Sequence, residues 1–298
     1  MGRALAEAFP VCRQTFDEAD EALGEPLSLL CFEGPADRLV LTENTQPALL
    51  TVSVAAYRLL ESLGHRASFM AGHSLGEYSA HVAAGTLAFA DAVRIVRQRG
   101  RLMQEAVPVG VGAMAAVLGL DAALVAQACR EAAQGEVVAP ANLNGPGQVV
   151  IAGVRAAVER AGARARELGA KRVVPLPVSA PFHCALMKPA EERLAPALRA
   201  LEVRVPRVPV VANVDAEPKR DGASAVEALI RQVSSAVRWE DVVRRLASEG
   251  VSAYVEVGPG GVLGGLVRKI DREAAVAGLE DPAGLAAVEE LLRTGARD

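Results

Sequence analysis

The chain has 298 residues, of which 51% are hydrophobic and 23% are charged, a balance typical of a folded globular protein. Its length corresponds to about two domains or one large domain. Lys and Arg together number 32 against 36 for Asp and Glu, and aromatic residues make up only 3%. Without a basic excess or many aromatic rings, the chain lacks the usual means of holding phosphates and stacking bases, which argues against nucleic acid as a partner.

The cysteines and the first residues indicate the cellular compartment. Cys12, Cys31, Cys129 and Cys184 lack the spacing of a metal or redox motif, so we expect reduced thiols in a cytosolic protein. No apolar run approaches the roughly 18 residues that a membrane span needs. The start, MGRALAEAFP, has no apolar centre of a signal peptide. The sequence therefore predicts a soluble, cytoplasmic protein that does not enter a membrane.

The N-terminal part, up to residue 65, has the pattern of helices joined by loops. Asn44 or Thr45 is suited to cap a helix, a proline follows, and helical periodicity then continues to residue 63. The first convincing strand is at residues 67–71, a short apolar run followed by glycine.

The next region alternates strands and helices in an order that defines a subdomain. Strands are predicted at 112–120, 136–142, 148–152 and 172–178, and helices at 121–134 and 154–168. The order β-α-β-β-α-β is that of a ferredoxin-like unit. Further buried strands are predicted at 205–214 and 252–257. We therefore expect an α/β protein in which residues 110–179 form a subdomain inserted into a body of residues 1–109 and 180–298.

A G-x-S-x-G pattern, Gly72-His73-Ser74-Leu75-Gly76, lies directly between the 67–71 strand and a predicted helix. The pattern alone is weak, but this strand–turn–helix setting is what an exposed nucleophile requires, because the glycines allow a sharp turn that presents the hydroxyl of Ser74. The N–H of Leu75 then lies at a helix N-terminus, where it favours developing negative charge. A tight turn with an incidental serine is the alternative.

A serine nucleophile needs a base, and the chain has four histidines. His65 precedes the strand, and His73 adjoins Ser74 on a strained turn and should point away from it. His81 lies seven residues along the helix, about 10 Å at 1.5 Å per residue, beyond hydrogen-bond reach. His183 remains, in a loop after a predicted strand, where catalytic residues often lie. Elimination favours His183, although a solitary loop histidine can also be merely structural.

No acidic residue suits the third position of a hydrolase triad. Such an acid normally follows a strand between the nucleophile and the histidine, whereas Asp91 and Asp121 are placed as helix starters. We therefore expect a neutral carbonyl to orient the imidazole.

The helix predicted around residues 91–106 carries an arginine on its apolar face. The stripe at helical spacing consists of Ala92, Ile95, Leu102 and Ala106. Arg99 falls on this stripe, whereas Arg94, Arg97 and Arg101 share another face that we expect to be solvated. A buried guanidinium keeps its charge and needs an anion. That anion is a protein carboxylate or the carboxylate of a substrate, unless the side chain reaches the surface instead.

Several stretches together resemble the malonyl-CoA:acyl carrier protein transacylases of bacterial fatty acid synthesis, from about residue 9 to the C-terminus. They are TQPALLT (45–51), AGHSLGEYSA (71–80), RG-LMQEAVP (99–108, without position 101), GAMAA (112–116), NGPGQVVIAG (144–153), PFHCALMKPA (181–190) and EVGPGGVL (256–263). This set is far more specific than the G-x-S-x-G pattern alone.

The resemblance implies a role for each matching residue. Ser74 would be the nucleophile that accepts the acyl group, His183 its base, and Arg99 the group that binds the free carboxylate of malonyl. Gln46 matches an active-site glutamine of the family, and Gln232 matches the position whose main-chain carbonyl holds the histidine.

The resemblance also implies the fold and two further details. The fold is an α/β-hydrolase-like body with a parallel sheet and an inserted ferredoxin-like subdomain. Leu75 would supply one N–H of the oxyanion hole. Phe182 resembles the malonyl-selective variant of related polyketide acyltransferases, in which a bulky residue before the histidine disfavours branched acyl chains.

The implied reaction is a ping-pong transfer of malonyl from malonyl-CoA to the phosphopantetheine thiol of acyl carrier protein. It implies a monomer with no metal and no redox cofactor. Two alternatives remain open: a serine hydrolase of thioesters or esters, and an inactive member that only binds carrier protein.

One departure from the family lies at the N-terminus. The family begins with a strand and a Gly-Gln-Gly-x-x-Gln loop that helps to build the oxyanion hole, and Met1 aligns past both. We therefore expect a central strand and one oxyanion donor to be missing. A wrongly assigned start, a truncated gene and a degenerate member are all compatible with this.

Overall fold

The computed structural model describes residues 1–178 and 180–295. Ser179, the last residue of the predicted subdomain, and residues 296–298, the end of the predicted body, lie outside the described residues. Over the described ranges the chain forms fourteen α-helices, two 3₁₀ helices and nine β-strands.

The α-helices are α1 (Arg3–Ala8), α2 (Pro10–Leu23), α3 (Leu27–Glu33), α4 (Ala36–Leu39), α5 (Thr42–Ser62), α6 (Leu75–Ala83), α7 (Phe89–Glu105), α8 (Ala122–Ala132), α9 (Arg155–Glu167), α10 (Lys188–Arg199), α11 (Gly222–Gln232), α12 (Trp239–Ser248), α13 (Val262–Ile270) and α14 (Leu285–Gly295). The 3₁₀ helices are Ala185–Met187 and Pro282–Gly284. The strands are β1 (Met70–Ala71), β2 (Gly112–Leu118), β3 (Val138–Gly145), β4 (Gln148–Val154), β5 (Arg172–Pro175), β6 (Val210–Val211), β7 (Pro218–Lys219), β8 (Ala253–Val257) and β9 (Ala275–Leu279).

The strands of the described residues form three small sheets. In the first, β1 is parallel to β6, and β6 pairs antiparallel with β7. In the second, four antiparallel strands follow the order β3-β4-β2-β5. In the third, β8 and β9 form a parallel pair. With helices between and around these sheets, the chain is an α/β protein, as predicted.

The N-terminal part is helical, which confirms the prediction for the region up to residue 65. The predicted cap is wrong, because α5 begins at Thr42 with Leu41 in the N-cap position. The side chains of Asn44 and Thr45 instead donate to carbonyl groups of the preceding turn. They tie α5 to that turn rather than starting the helix.

Two predicted strands are much shorter than expected. The strand predicted at 67–71 is reduced to β1, and the one predicted at 205–214 to β6. Their ladder consists of Met70 with Val210 and Ala71 with Val211. Prolines at 206 and 209 precede β6 in the sequence, and proline has no N–H to donate to a ladder. The prediction from apolar composition alone therefore made both strands too long.

The long helices α5 and α7 pack closely in the main hydrophobic core, which also includes residues of α2, α6 and α10. A methyl group on Gly100 of α7 would lie only 2.6 Å from the Cα of Glu43 in α5. Such a close approach requires glycine at this position. It brings the segment around Gln46 next to Arg99, the residue before Gly100.

The elements between residues 110 and 178 appear in the predicted order, as β2, α8, β3, β4, α9 and β5. Helices α8 and α9 share a core with one face of this sheet. The other face packs against the segment around Cys184, including Phe182 and Leu186. A methyl group on Gly112 would lie 2.4 Å from the ring of Pro181. The loop that carries His183 is therefore held against the four-stranded sheet β3-β4-β2-β5.

The four-stranded sheet is also joined to the segment before α12 through its edge strand β3. The N–H of Val237 donates to the carbonyl of Ala141 at 2.9 Å, and the N–H of Leu143 donates to the carbonyl of Val237 at 2.8 Å. This short parallel bridge links β3 to the residues that lead into α12. The sheet is thereby fixed close to the segment that follows Gln232.

Three structural features bear on the predictions about thiols, membrane spans and metal sites. All four cysteines are free and buried. Among the described residues, no helix has the length and apolar character to cross a membrane. In the same part of the chain, no group of three or more His, Cys, Asp or Glu side chains could hold a metal ion.

Candidate active site

Ser74 lies on a strained turn between β1 and α6. Its backbone has φ 52° and ψ −106°, a conformation that side-chain-bearing residues rarely adopt. The turn is tight because a methyl group on Gly72 would lie 2.0 Å from the carbonyl carbon of Gly76. The Ser74 N–H donates to the Oδ1 of Asn213 at 2.7 Å. The turn presents a partly exposed hydroxyl at the N-terminus of α6.

The imidazole of His183 is placed to take the proton of this hydroxyl. Its Nε2 lies 2.7 Å from the Ser74 Oγ, and its Nδ1 lies 3.0 Å from the main-chain carbonyl of Gln232. An Nδ1–H donated to the carbonyl leaves the Nε2 lone pair facing the serine. His183 also has a positive φ of 58°. The ring is thus oriented by a neutral carbonyl and not by a carboxylate.

Burial and a nearby charge keep this imidazole neutral. The side chain is 4% exposed. Burial lowers the pKa of His183 to about 3, and the positive charge of Arg99 acts in the same direction. At neutral pH the ring is therefore unprotonated and available as a base.

The other histidines bond elsewhere. The Nε2 of His73 lies 2.8 Å from the Oδ1 of Asn144, and the Nδ1 of buried His81 lies 3.3 Å from the Oγ1 of Thr86. The structure therefore brings Ser74 together with His183 and with no other histidine.

Arg99 lies beside the dyad and is 1% exposed. Its Nη2 donates to the Ser74 Oγ at 3.1 Å and to the Oε1 of Gln232 at 2.9 Å. Its Nη1 donates to the Oε1 of Gln46 at 2.7 Å. The guanidinium carbon lies 5.3 Å from the centre of the Tyr78 ring. Every one of these partners is neutral.

The charge of Arg99 is therefore not compensated by direct contact with a carboxylate. Within residues 1–178 and 180–295, the guanidinium forms no salt bridge, and its Nε has no hydrogen-bond partner. Both alternatives, an internal ion pair and a side chain reaching the surface, disagree with this arrangement. Burial lowers the pKa of Arg99, but arginine remains protonated in proteins. A positive charge thus lies next to the serine without a protein anion.

The expectation that the other three arginines of α7 form one solvated face is wrong for Arg97. Arg94 and Arg101 are exposed and pair with Asp91 and Glu43. Arg97 is 8% exposed and forms a salt bridge with Glu25. Helix α2 and the residues after it cover this side of α7, which the helical spacing alone could not indicate.

Gln46 and Gln232 hold the guanidinium from two sides. Gln46 is buried in the second turn of α5, where its Nε2 donates to the Oγ1 of Thr42 at 3.0 Å, so its Oε1 faces Arg99. Gln232, the last residue of α11, is fully buried. Its main-chain carbonyl accepts from His183, and its side-chain Oε1 accepts from Arg99. One residue thus contacts both the base and the cation.

Comparison with known proteins places this arrangement in a family. The family model described as "Acyl transferase domain" matches residues 1–284. The malonyl CoA-acyl carrier protein transacylase of Escherichia coli (strain K12) is 53% identical over 288 residues, which are 96% of this chain and 93% of that protein. The protein of the same name from Bacillus subtilis is 50% identical over 283 residues, 95% of this chain and 89% of the relative. The chain belongs to the malonyl CoA-acyl carrier protein transacylase family.

Solved structures agree with this family membership. The acyl carrier protein S-malonyltransferase of Vibrio cholerae superposes with a TM-score of 0.95 at 50% identity, covering 97% of this chain and 94% of that one. A malonyl-transacylase solved in complex with its type II PKS acyl-carrier protein superposes with a TM-score of 0.94 at 49% identity. That match covers 96% of this chain and 93% of that one.

The remaining two predicted site residues, Leu75 and Phe182, are the sequence neighbours of Ser74 and His183. Leu75 is the first residue of α6, and its N–H has no hydrogen-bond partner among the described residues. Phe182, directly before His183, is partly buried and packs against both the main core and the four-stranded sheet.

Two buried polar residues near Ser74 were missed in the sequence. Asn213 donates from its Nδ2 to the carbonyl of Gly72 at 2.7 Å and accepts from the Ser74 N–H, so it holds both sides of the turn. Glu77 lies three residues after Ser74 and accepts from the N–H of Asn213 at 2.9 Å and from the Nε2 of Gln232 at 2.7 Å. Both side chains are fully buried.

A sequence signal existed for each of them. Asn213 is the polar residue that follows the buried run Val210-Val211-Ala212. Glu77 stands three residues after Ser74, which is the spacing of a capping box at a helix start. In the structure Asn213, and not Glu77, accepts from the Ser74 N–H, and Glu77 turns toward the core. The capping-box spacing thus indicates Glu77 but not its hydrogen-bond partners Asn213 and Gln232.

The two glycines of the turn allow a matched test of its geometry. A methyl group on Gly72 would collide with the backbone of Gly76, whereas one on Gly76 would meet nothing within 4 Å. We expect Gly72→Ala to lower the free energy of unfolding by about 3 kcal/mol or more. We expect Gly76→Ala, within a helix, to change it by less than about 1 kcal/mol. Urea unfolding followed by circular dichroism measures both, and equal effects would contradict the close approach.

Proposed function

We propose that the chain transfers the malonyl group of malonyl-CoA to the phosphopantetheine thiol of acyl carrier protein in fatty acid synthesis. The relatives named above carry this activity in their names, and one solved neighbour is in complex with its carrier protein. The observation that carries the proposal is the uncompensated charge of Arg99, whose Nη2 lies 3.1 Å from the Ser74 Oγ. A serine beside a buried free cation suits an acyl group that ends in a carboxylate.

In the first half-reaction, the Nε2 of His183 takes the proton of the Ser74 hydroxyl as Oγ attacks the thioester carbonyl. The oxyanion that forms accepts a hydrogen bond from the free N–H of Leu75 at the N-terminus of α6. Collapse of this intermediate breaks the C–S bond, and the CoA thiolate leaves with the proton from His183. The product is malonyl-Ser74 and free CoA.

In the second half-reaction, the same groups act in reverse. His183 takes the proton of the phosphopantetheine thiol, whose sulfur attacks the malonyl-Ser74 ester. The Ser74 alkoxide then leaves and recovers its proton from His183. The carbonyl of Gln232 keeps the Nδ1 proton in place throughout, so the ring always presents Nε2 to the reacting atoms.

Arg99 would bind the free carboxylate of the malonyl group. Its two terminal nitrogens donate to neutral amide oxygens of Gln46 and Gln232 in the free protein. A carboxylate is a stronger acceptor than these amides, and guanidinium groups bind it with two parallel hydrogen bonds. Phe182 would add selectivity by leaving no room for a branched acyl chain.

The same proposal covers the architecture. Residues 1–109 and 180–298 would form an α/β-hydrolase-like catalytic body, and residues 110–179 a ferredoxin-like subdomain. The antiparallel order β3-β4-β2-β5, with α8 and α9 on one face, supports the second assignment. The parallel pairing of β1 with β6 next to the serine turn supports the first.

Mass spectrometry of the full chain tests the proposed function. After incubation with malonyl-CoA, we expect a malonyl adduct on the peptide that contains Ser74. Addition of phosphopantetheinylated acyl carrier protein should remove the adduct and yield malonyl carrier protein in equal amount. A thioesterase would instead release free malonate whether or not carrier protein is present. A folded protein without any adduct would support the alternative of a carrier-protein binding module.

A further inference from the structure

The proposed reaction does not use the buried carboxyl of Glu77. Its Oε2 accepts two hydrogen bonds, from the N–H of Asn213 and the Nε2 of Gln232. Its Oε1 is buried and has no hydrogen-bond partner in the described part of the chain. The carboxyl forms no salt bridge with a described residue. Such a group is costly to ionise, because the carboxyl is fully buried and no cation contacts it directly.

Glu77 determines which way the amide of Gln232 faces. The Nε2 of that amide donates to the Oε2 of Glu77 at 2.7 Å and to the carbonyl of Ser74 at 2.9 Å. With both acceptors on one side, the amide oxygen must face the other side, where it accepts from the Nη2 of Arg99. A reversed amide would place its NH₂ group against the guanidinium, donor against donor.

We propose that Glu77 is a positioning residue that acts in its protonated form. Its carboxyl orients Gln232 and the Asn213 segment around the serine turn, and its neutrality leaves the charge of Arg99 available to the substrate carboxylate. The inference rests on the proposed function, because it assigns that carboxylate to Arg99.

The charges around Glu77 are consistent with a carboxyl that is neutral below about pH 7. Burial raises the pKa of Glu77 from 4.5 to about 7, and the negative charge of Asp215 acts in the same direction. The hydrogen bonds from Asn213 and Gln232 and the positive charge of Arg99 oppose this.

Two of the facing groups do not change charge in this range. Asp215 pairs with Lys219 at 2.8 Å and has a lowered pKa, so it stays ionised. Tyr78, the next residue on α6, stays neutral because burial raises its pKa to about 12. Ionisation of Glu77 above pH 7 therefore adds one new negative charge near Arg99. That charge competes with the carboxylate of the substrate for the guanidinium.

The sign of the linked stability change follows from the same values. Between pH 4.5 and about 7, the folded chain holds a proton on Glu77 that the unfolded chain has lost. The contribution of Glu77 to stability therefore falls as the pH rises through this window and is constant above it. A neutral replacement removes this fall.

Glu77→Gln separates positioning from charge. The amide oxygen can replace Oε2 as acceptor, and the NH₂ group then takes the place of the unpartnered Oε1. We expect the wild-type KM for malonyl-CoA to rise about tenfold between pH 6 and pH 8.5, the change that a coupling of one pKa unit gives. In Glu77→Gln the KM should not rise, and transfer at pH 6 should be retained. Glu77→Ala should lose transfer at every pH because Gln232 is released.

Thermal unfolding supplies a readout independent of activity. The difference in Tm between Glu77→Gln and the wild type should increase from pH 5 to pH 8. The control is Glu105→Gln, at an exposed carboxylate paired with Arg193. The difference in Tm between Glu105→Gln and the wild type should be the same at pH 5 and pH 8. A KM in Glu77→Gln that rises as in the wild type would overturn the proposal, as would a folded Glu77→Gln without transfer at pH 6. If the wild type itself transfers no malonyl, the proposed function fails, and the Tm series still reports on Glu77.

Discussion

Replacing Ser74 or His183 with Ala is expected to reduce malonyl transfer by about 10⁴–10⁶-fold, and the double replacement should cost no more than the larger single effect. The hydroxyl and the imidazole are joined by one 2.7 Å hydrogen bond and act on the same proton. Once either side chain is removed, the other no longer contributes to the proton transfer. The effects of the two replacements are therefore not additive. Pre-steady-state measurement of CoA release from each variant quantifies the loss.

Thermal unfolding of these variants shows whether each remains folded. His65→Ala, a replacement before the β1 strand and away from the serine, is the matched control and should retain full transfer. A His183→Ala protein with more than a tenth of the wild-type rate would show that another group deprotonates Ser74. Additive losses in the double variant would show that the two residues act in separate steps.

The second large effect is expected on substrate choice. Arg99→Met keeps most of the side-chain volume but removes the charge and all five N–H donors. We expect kcat/KM for malonyl-CoA to fall about 10²–10⁴-fold, because two charge-assisted hydrogen bonds of about 1.5–3 kcal/mol each are lost. Acetyl-CoA has no free carboxylate, so its kcat/KM should change much less. The ratio of the two values, from parallel assays with carrier protein, measures the role of Arg99.

Arg97 provides a matched control on the same helix. It is also buried, but it already pairs with Glu25 and lies away from the serine. Arg97→Met should lower stability and leave the ratio of malonyl to acetyl transfer unchanged. If Arg99→Met left this ratio unchanged as well, the assignment of the malonyl carboxylate to Arg99 would fail.

The chemistry of the site was partly accessible from local sequence patterns. The turn around Ser74 follows from two glycines between an apolar run and a helix, and Arg99 stands out because it interrupts an apolar stripe. His183 was reached by elimination among four histidines. The inferences on Ser74 and Arg99 concern residue types and spacings within one short stretch of the chain.

The contacts between distant elements could not be predicted in this way. Arg99 meets a glutamine 53 residues earlier and another 133 residues later, and no local period encodes these pairings. The burial of Arg97 likewise depends on the chain around Glu25. The strands at 67–71 and 205–214 were overestimated for a related reason. An apolar run becomes a strand only where a neighbouring strand offers matching hydrogen bonds.

The packing of residues 180–187 against the four-stranded sheet has a mechanical consequence. Ser74 is positioned by β1 and α6. His183 is positioned by its loop, in which the ring of Pro181 contacts Gly112 and the neighbouring apolar side chains pack on one face of β2, β3 and β4. A relative slip of about 1 Å between these two supports would break a 2.7 Å contact. The reactivity of Ser74 therefore depends on how firmly the His183 loop and its sheet are fixed relative to β1 and α6.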